Sequence, residues 1–212
     1  MSLTHKQLDA LRLEDIESLK TNQIPESQTL EYKREFSQSF LETITAFANT
    51  AGGDLLLGVR AEAGVPEELC GLQVTDIDSE IARYENIIRT SIDPRITGLE
   101  IGKVPLTSSP SPAVIIIRVG RSWRQPHRII GSRRFHARNA NGNYEMDMNQ
   151  IRAAFAMSET TFDRIKDFRR HRTEEIMAGE APVSLPDGPL LVVHLVPLDA
   201  FKAEISFSTA SL

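Results

Sequence analysis

Two glutamates five residues apart, Glu26 and Glu31, followed by Lys33, are the first side chains whose types could do chemistry. Hard divalent cations are typically held by one or two carboxylates while keeping water and phosphate as further ligands, the arrangement that phosphodiester hydrolysis needs. On a straight strand, residues an odd number apart face opposite sides, so the two glutamates converge only if Glu26 lies in the turn after Pro25. Lys33 shares the face of Glu31, where it could offset carboxylate repulsion or stabilise charge developing on a phosphoryl oxygen. The alternative is an exposed charge pair on one strand face, worth little in stability.

A second group is basic. Residues 101–144 contain no Asp or Glu but hold Lys103, Arg118, Arg121, Arg124, Arg128, Arg133, Arg134 and Arg138, with His127 and His136 interleaved. The whole chain carries a net charge of -5, so this is a basic island in an acidic protein. Phosphate contacts come chiefly from Arg and Lys, and the lack of neighbouring acids removes sequence-local partners that would neutralise them. Trp123 is either a plane on which an unpaired base can stack or a core or rim aromatic. In 132–138, alternation with Phe135 and Ala137 inward places Arg134, His136 and Arg138 toward solvent. Arg121, Trp123, Arg124, Arg128, Arg134, His136 and Arg138 are therefore the candidate nucleic-acid contacts.

Other chemistries find little support. Gly53 and Gly58 have the spacing of a phosphate loop, but Val59 and Arg60 stand where Lys and Ser or Thr should, and no G-x-G-x-x-G occurs. ATP binding is unsupported. The single Cys70 excludes an intramolecular disulfide and a cysteine-based zinc site, and is expected to be a small buried apolar residue. The five histidines form no metal pattern.

The elements that must position these groups follow from periodicity. Leu30 and Tyr32 alternate with Glu31 and Lys33 as a short strand. Phe40, Ile44, Phe47, Ala48 and Ala51 recur at helical spacing, Gly52-Gly53 ends that helix, and residues 55–59 form a buried strand. Residues 5–20 predict one helix with Leu8, Leu11, Ile16 and Leu19 inward. A hairpin connection over 60–77, a helix over 78–92, strands over 99–104 and 113–119, and a helix after Asp147 that continues through 160–178 complete the pattern, with a last strand at 190–196. The composition, 41% hydrophobic and 25% charged over 212 residues, suits an α/β (α+β) protein with a mixed sheet flanked by helices. The division expected is an N-terminal helix and linker (1–24), a main domain (25–155) and a helical and strand-bearing extension (156–212).

Glu26-Ser27, Leu30-Glu31-Tyr32-Lys33, Ala46-Phe47-Ala48-Asn49-Thr50, Gly52-Gly53 and Leu57-Gly58-Val59, in that order, closely resemble the Schlafen AlbA-type domain family, long labelled a divergent ATPase domain. Phe135 to Arg138 and Asn143 extend the resemblance, which covers roughly 25–150. It implies a nucleic-acid-binding domain. In RNA-cleaving relatives two glutamates at this spacing and a later aspartate form the catalytic set, so Glu26 and Glu31 are the implied magnesium or manganese ligands. The aspartate is missing: Arg60, Ala61 and Glu62 follow Val59, leaving Glu62, or Asp54 nearer the helix end, as a substitute.

The sequence thus points to binding of RNA or single-stranded nucleic acid, with metal-dependent cleavage of a structured RNA such as tRNA implied by the resemblance. The rival is a noncatalytic ligand-sensing or DNA-binding regulatory module. The charged, amphipathic N-terminal residues and the lack of an apolar run near 18 residues fit a cytoplasmic protein without membrane association. A homodimer or further domains of a longer protein are the other expected partners.

Overall fold

The computed structural model describes residues 3, 6–37, 39–107, 111–180 and 191–194. It divides into two units, Met1–Ala154 and Phe155–Leu212. In the first, β1 (Leu30–Lys33), β2 (Gly53–Leu57), β6 (Leu99–Pro105) and β7 (Ala113–Val119) form one sheet in the order β1-β2-β7-β6. β1 runs parallel to β2, whereas β7 is antiparallel to both of its neighbours, so the sheet is mixed as expected. The central strands are fully apolar for a reason. Leu55, Leu57, Ile115 and Ile117 pack under α2 (Phe40–Asn49) and α3 (Ile77–Ser91), while Leu56, Val114 and Ile116 pack against the N-terminal segment and α1 (Leu13–Thr21) on the other face.

α2 connects the two parallel strands. It ends where the sequence places the glycines: Gly52, at φ +79°, returns its N–H to Phe47 O at 2.9 Å. A hairpin, β3 (Val59–Glu62) with β4 (Val65–Leu69), fills the 60–77 connection. The short pair β5 (Ile92–Asp93) and β8 (Arg128–Ile129) and the hairpin β9 (His136–Asn139) with β10 (Gly142–Glu145) complete the strands described. α4 (Met148–Ala178) starts at Asp147, whose Oδ1 accepts the N–H groups of Asn149 and Gln150 at 2.8 Å, as its position predicts.

Three expectations are corrected. Residues 5–20 are not one helix: a 3-10 turn at Leu8–Ala10 precedes α1, and Arg12 is extended at φ -126° between them. Asp15 accepts the Arg12 N–H at 3.0 Å and starts α1 afresh, yet Leu8, Leu11, Ile16 and Leu19 are all buried. Cys70 is half-buried rather than buried, because it ends the exposed β3–β4 hairpin. Of the strand expected at 190–196, residues 191–194 are described and carry no strand assignment; the rest lies outside the described residues.

The second unit contains the continuation of α4, where Lys166 sits over the Phe162 ring at 4.5 Å and Phe168 meets His194 edge-on at 6.1 Å. Among the described residues no helix is long and apolar enough to cross a membrane.

One arginine of the basic island belongs to the fold itself. Arg118 on β7 donates from Nε and Nη2 to the two oxygens of buried Asp54 at 2.8 and 2.9 Å, and to the backbone oxygens of Lys6 and Leu3. This fork fastens the N-terminal segment to the sheet, and it holds the guanidinium further in its charged form. Breaking a buried pair strands the surviving charge. Arg118→Ala should therefore destabilise the domain by about 3–5 kcal/mol in urea unfolding. Arg60→Ala, which removes exposed ion pairs with Glu67 and Glu68, should leave the urea midpoint nearly unchanged.

Candidate nucleic-acid interface

Glu26 lies in the turn before β1, where its N–H donates to Gly64 O at 2.7 Å and its Oε1 accepts the Tyr32 N–H at 3.0 Å. That turn brings it within electrostatic reach of Glu31, Lys33 and Arg138. Burial pushes the Glu26 carboxyl above its ordinary value. The Tyr32 N–H opposes this, Glu31 reinforces it, and Arg138 and Lys33 pull the other way less strongly. Glu31 is saturated by cations: Lys33 Nζ lies 2.9 Å from Oε1 and Arg138 Nη2 lies 2.6 Å from Oε2.

Arg138 overturns the expectation of a solvent-facing residue. Its side chain is 2% exposed. Nε donates to Ser27 O at 2.8 Å, Nη1 to Asn143 Oδ1 at 2.8 Å, and Nη2 to Leu30 O at 3.2 Å as well as to Glu31. The guanidinium also stands 5.3 Å from the centre of the Phe47 ring. His136 is likewise buried, with Nε2 4.0 Å from Glu42 Oε1, and burial keeps its pKa below the ordinary value. Alternation fails here because both faces of β9 are covered. His136 and Arg138 face α2 residues, while Ala137 packs with Met146, Ile151 and Ala154. These two residues are held inside the domain, away from an external phosphate.

The donor set does not fit a divalent cation. Both oxygens of Glu31 face positive charge, one oxygen of Glu26 is engaged by a backbone N–H, and a metal would have to displace Lys33 and Arg138. Glu62 is exposed at the end of β3, and Asp54 is spent on Arg118. Among the described residues no three His, Cys, Asp or Glu side chains are grouped as a metal site.

The exposed arginines of the basic island lie elsewhere, around the β5–β8 pair. Arg128 pairs with Asp93 at 3.0 Å and Arg134 with Glu145 at 3.5 Å, both exposed bridges of small energy. The turn between them closes through Arg133 N–H to Ile129 O (2.7 Å) and Ile129 N–H to Arg134 O (3.0 Å), with Arg133 at φ +60°. Arg95 is exposed just after Pro94, whose carbonyl meets His127 Nδ1 at 2.6 Å. Nδ1 therefore carries the imidazole proton, and burial lowers the His127 pKa. Arg124 is exposed, 5.7 Å from the half-buried Trp123 ring, and Arg121 is exposed at the start of the loop. Sequence reasoning missed Arg95, which lies 26 residues before the nearest loop arginine and is brought in by strand pairing and the Pro94–His127 hydrogen bond.

The model of the family described as "Schlafen, AlbA_2" matches residues 26–147, more than half of the chain. This chain belongs to the Schlafen AlbA_2 family. Membership marks it as a nucleic-acid-related domain. No curated relative matches the sequence. Among solved structures, the DIP2311 protein from Corynebacterium diphtheriae is similar at 18% identity and a TM-score of 0.41, over 64% of this chain. The chain spans 30% of that protein's length. Within this Schlafen AlbA_2 domain, the motif glutamates and the motif arginine form one internally neutralised cluster, and the exposed arginines form a separate surface.

The raised Glu26 carboxyl gives a pH signature. The fold favours its protonated form, so the folded chain binds a proton that the unfolded chain releases near 4.5. The associated stability is fully present below 4.5 and is lost as pH rises through the elevated value. Glu26→Gln keeps an oxygen to accept the Tyr32 N–H and should abolish this loss. In urea titrations, wild type should weaken relative to Glu26→Gln as pH rises above 4.5; a constant difference would refute it.

Proposed function

We propose that this domain binds RNA or single-stranded nucleic acid through Arg95, Arg124, Arg128, Arg133 and Arg134, and that its carboxylate cluster serves structure rather than cleavage. The observation that carries the reading is the contrast between the two arginine sets. Arg118 and Arg138 spend their donors on internal partners, whereas Arg95, Arg124, Arg128, Arg133 and Arg134 are exposed or half-exposed, and the ion pairs of Arg128 and Arg134 are weak surface bridges. A phosphate can displace such a bridge at little cost, because both charges already face water. The Trp123 ring beside Arg124 supports a single-stranded or looped ligand, whose unstacked bases can lie on an aromatic face. Structured RNA such as tRNA offers both phosphates and unpaired bases.

The test is binding of labelled tRNA, single-stranded DNA and duplex DNA across a salt series, with magnesium or manganese and then with chelator. Five phosphate contacts on a single strand give a log–log salt slope of about -3.5. Arg124→Ala and Arg133→Ala should each weaken binding and flatten that slope by about 0.7. The RNA should remain intact with either metal. Metal-dependent cleavage lost in Glu31→Ala would overturn the noncatalytic half of this reading, and equal affinity in the arginine variants would overturn the other half.

A further inference from the structure

The Ala-Phe-Ala-Asn-Thr stretch and its glycines end α2, but ending a helix does not require a buried asparagine. Asn49 is 7% exposed and lies on a helix whose other inward residues are mostly apolar. Its side chain makes three hydrogen bonds, all to distant backbone. Nδ2 donates to His127 O and to His136 O, both at 2.9 Å, and Oδ1 accepts the His127 N–H at 2.7 Å. One side-chain amide thus satisfies both backbone groups of His127, in the middle of the arginine loop, and one group of β9. Main-chain groups left unpaired in such a place are costly, so the amide substitutes for a strand that the loop lacks.

The start of the loop is fixed on the same helix end. Ser122 N–H donates to Ala48 O at 2.9 Å. Gly52 lies where a Cβ would stand 2.7 Å from Val119 O and 2.9 Å from Arg121 N, so the chain leaving β7 passes directly over its Cα. Pro94 O then holds the other side of His127, which brings the Arg95 segment alongside.

We infer that the α2 C-terminus is the platform that positions the arginine surface, and that Asn49 is its positioning residue for nucleic-acid binding. This rests on the binding surface proposed above. Asn49 does not touch the ligand; it holds Arg124 and Arg128, on either side of His127, in one arrangement. The residue at 49 must combine two donors with an acceptor at this reach, which only an amide does.

The experiment combines hydrogen exchange with binding of labelled tRNA, using Asn49→Ala and Asn49→Asp. Aspartate keeps an acceptor for His127 N–H but offers no donor to the two carbonyls. In both variants the amides of 122–134 should exchange at least tenfold faster while those of β2 and β7 keep their protection. tRNA affinity should fall at least tenfold with a flatter salt slope. Added to an Arg124→Ala/Arg133→Ala background, Asn49→Ala should cost clearly less affinity than in wild type. If Asn49→Ala fails to fold, Asn49→Ser, which cannot span all three hydrogen bonds, carries the same expectation. Unchanged loop exchange would overturn the platform, whatever the binding data show. Loosened loop amides with undiminished tRNA affinity would overturn the positioning role. Loosened amides in a protein that never bound tRNA would keep the platform and discard the proposed ligand.

Discussion

Arg138 is the residue that ties the sequence motifs of the domain together. Four of its donor hydrogens reach Ser27 O, Leu30 O, Glu31 and Asn143, so one guanidinium joins the turn before β1, β1 itself and the β9–β10 hairpin. Asn143 in turn donates to Thr43 Oγ1 on α2 at 2.8 Å. A buried cation needs that many partners, since its desolvation is otherwise uncompensated. Glu31 supplies the compensating charge, and Lys33 occupies the other oxygen. The pair of carboxylate and guanidinium thereby gives cohesion between segments more than a hundred residues apart.

Once Arg138 and Arg118 are inside, the remaining arginines form a surface by exclusion. What keeps that surface in one place is hydrogen bonding to backbone groups, because 120–127 is a loop, turning at Trp123–Arg124, without strand partners of its own. Asn49 and Ala48 O provide the partners from α2, and Pro94 O from the segment after β5. The same helix therefore packs the sheet through Phe40, Ile44 and Phe47 and holds the loop through its last turn.

Much of this was legible in the sequence, and the failures have physical causes. β2, α2 and β7 are long or strongly apolar, and their periodicity found them; Gly52 stopped α2 where expected. The break at Arg12 was invisible because Leu8, Leu11, Ile16 and Leu19 keep a helical stripe across a kink that turns on one Asp15 carboxylate. Alternation through Phe135–Arg138 assumes one wet face, and nothing in those residues says that α2 covers it. The signal for Asn49 was present: a lone amide amid Ala and Phe at a helix end has to satisfy something. Glu26 does lie in the turn after Pro25, close to Glu31, while their partner Arg138 lies over a hundred residues away and no local spacing reveals it.

In the proposed function, nucleic acid meets the arginine loop while the glutamate cluster stays internal. Hydrogen-exchange footprinting of the domain with and without bound tRNA tests it most directly. New protection is expected in 93–95 and 121–134, with 26–33 and 58–64 unchanged. Protection centred on 26–33 and 58–64, with the arginine loop unaltered, would contradict it.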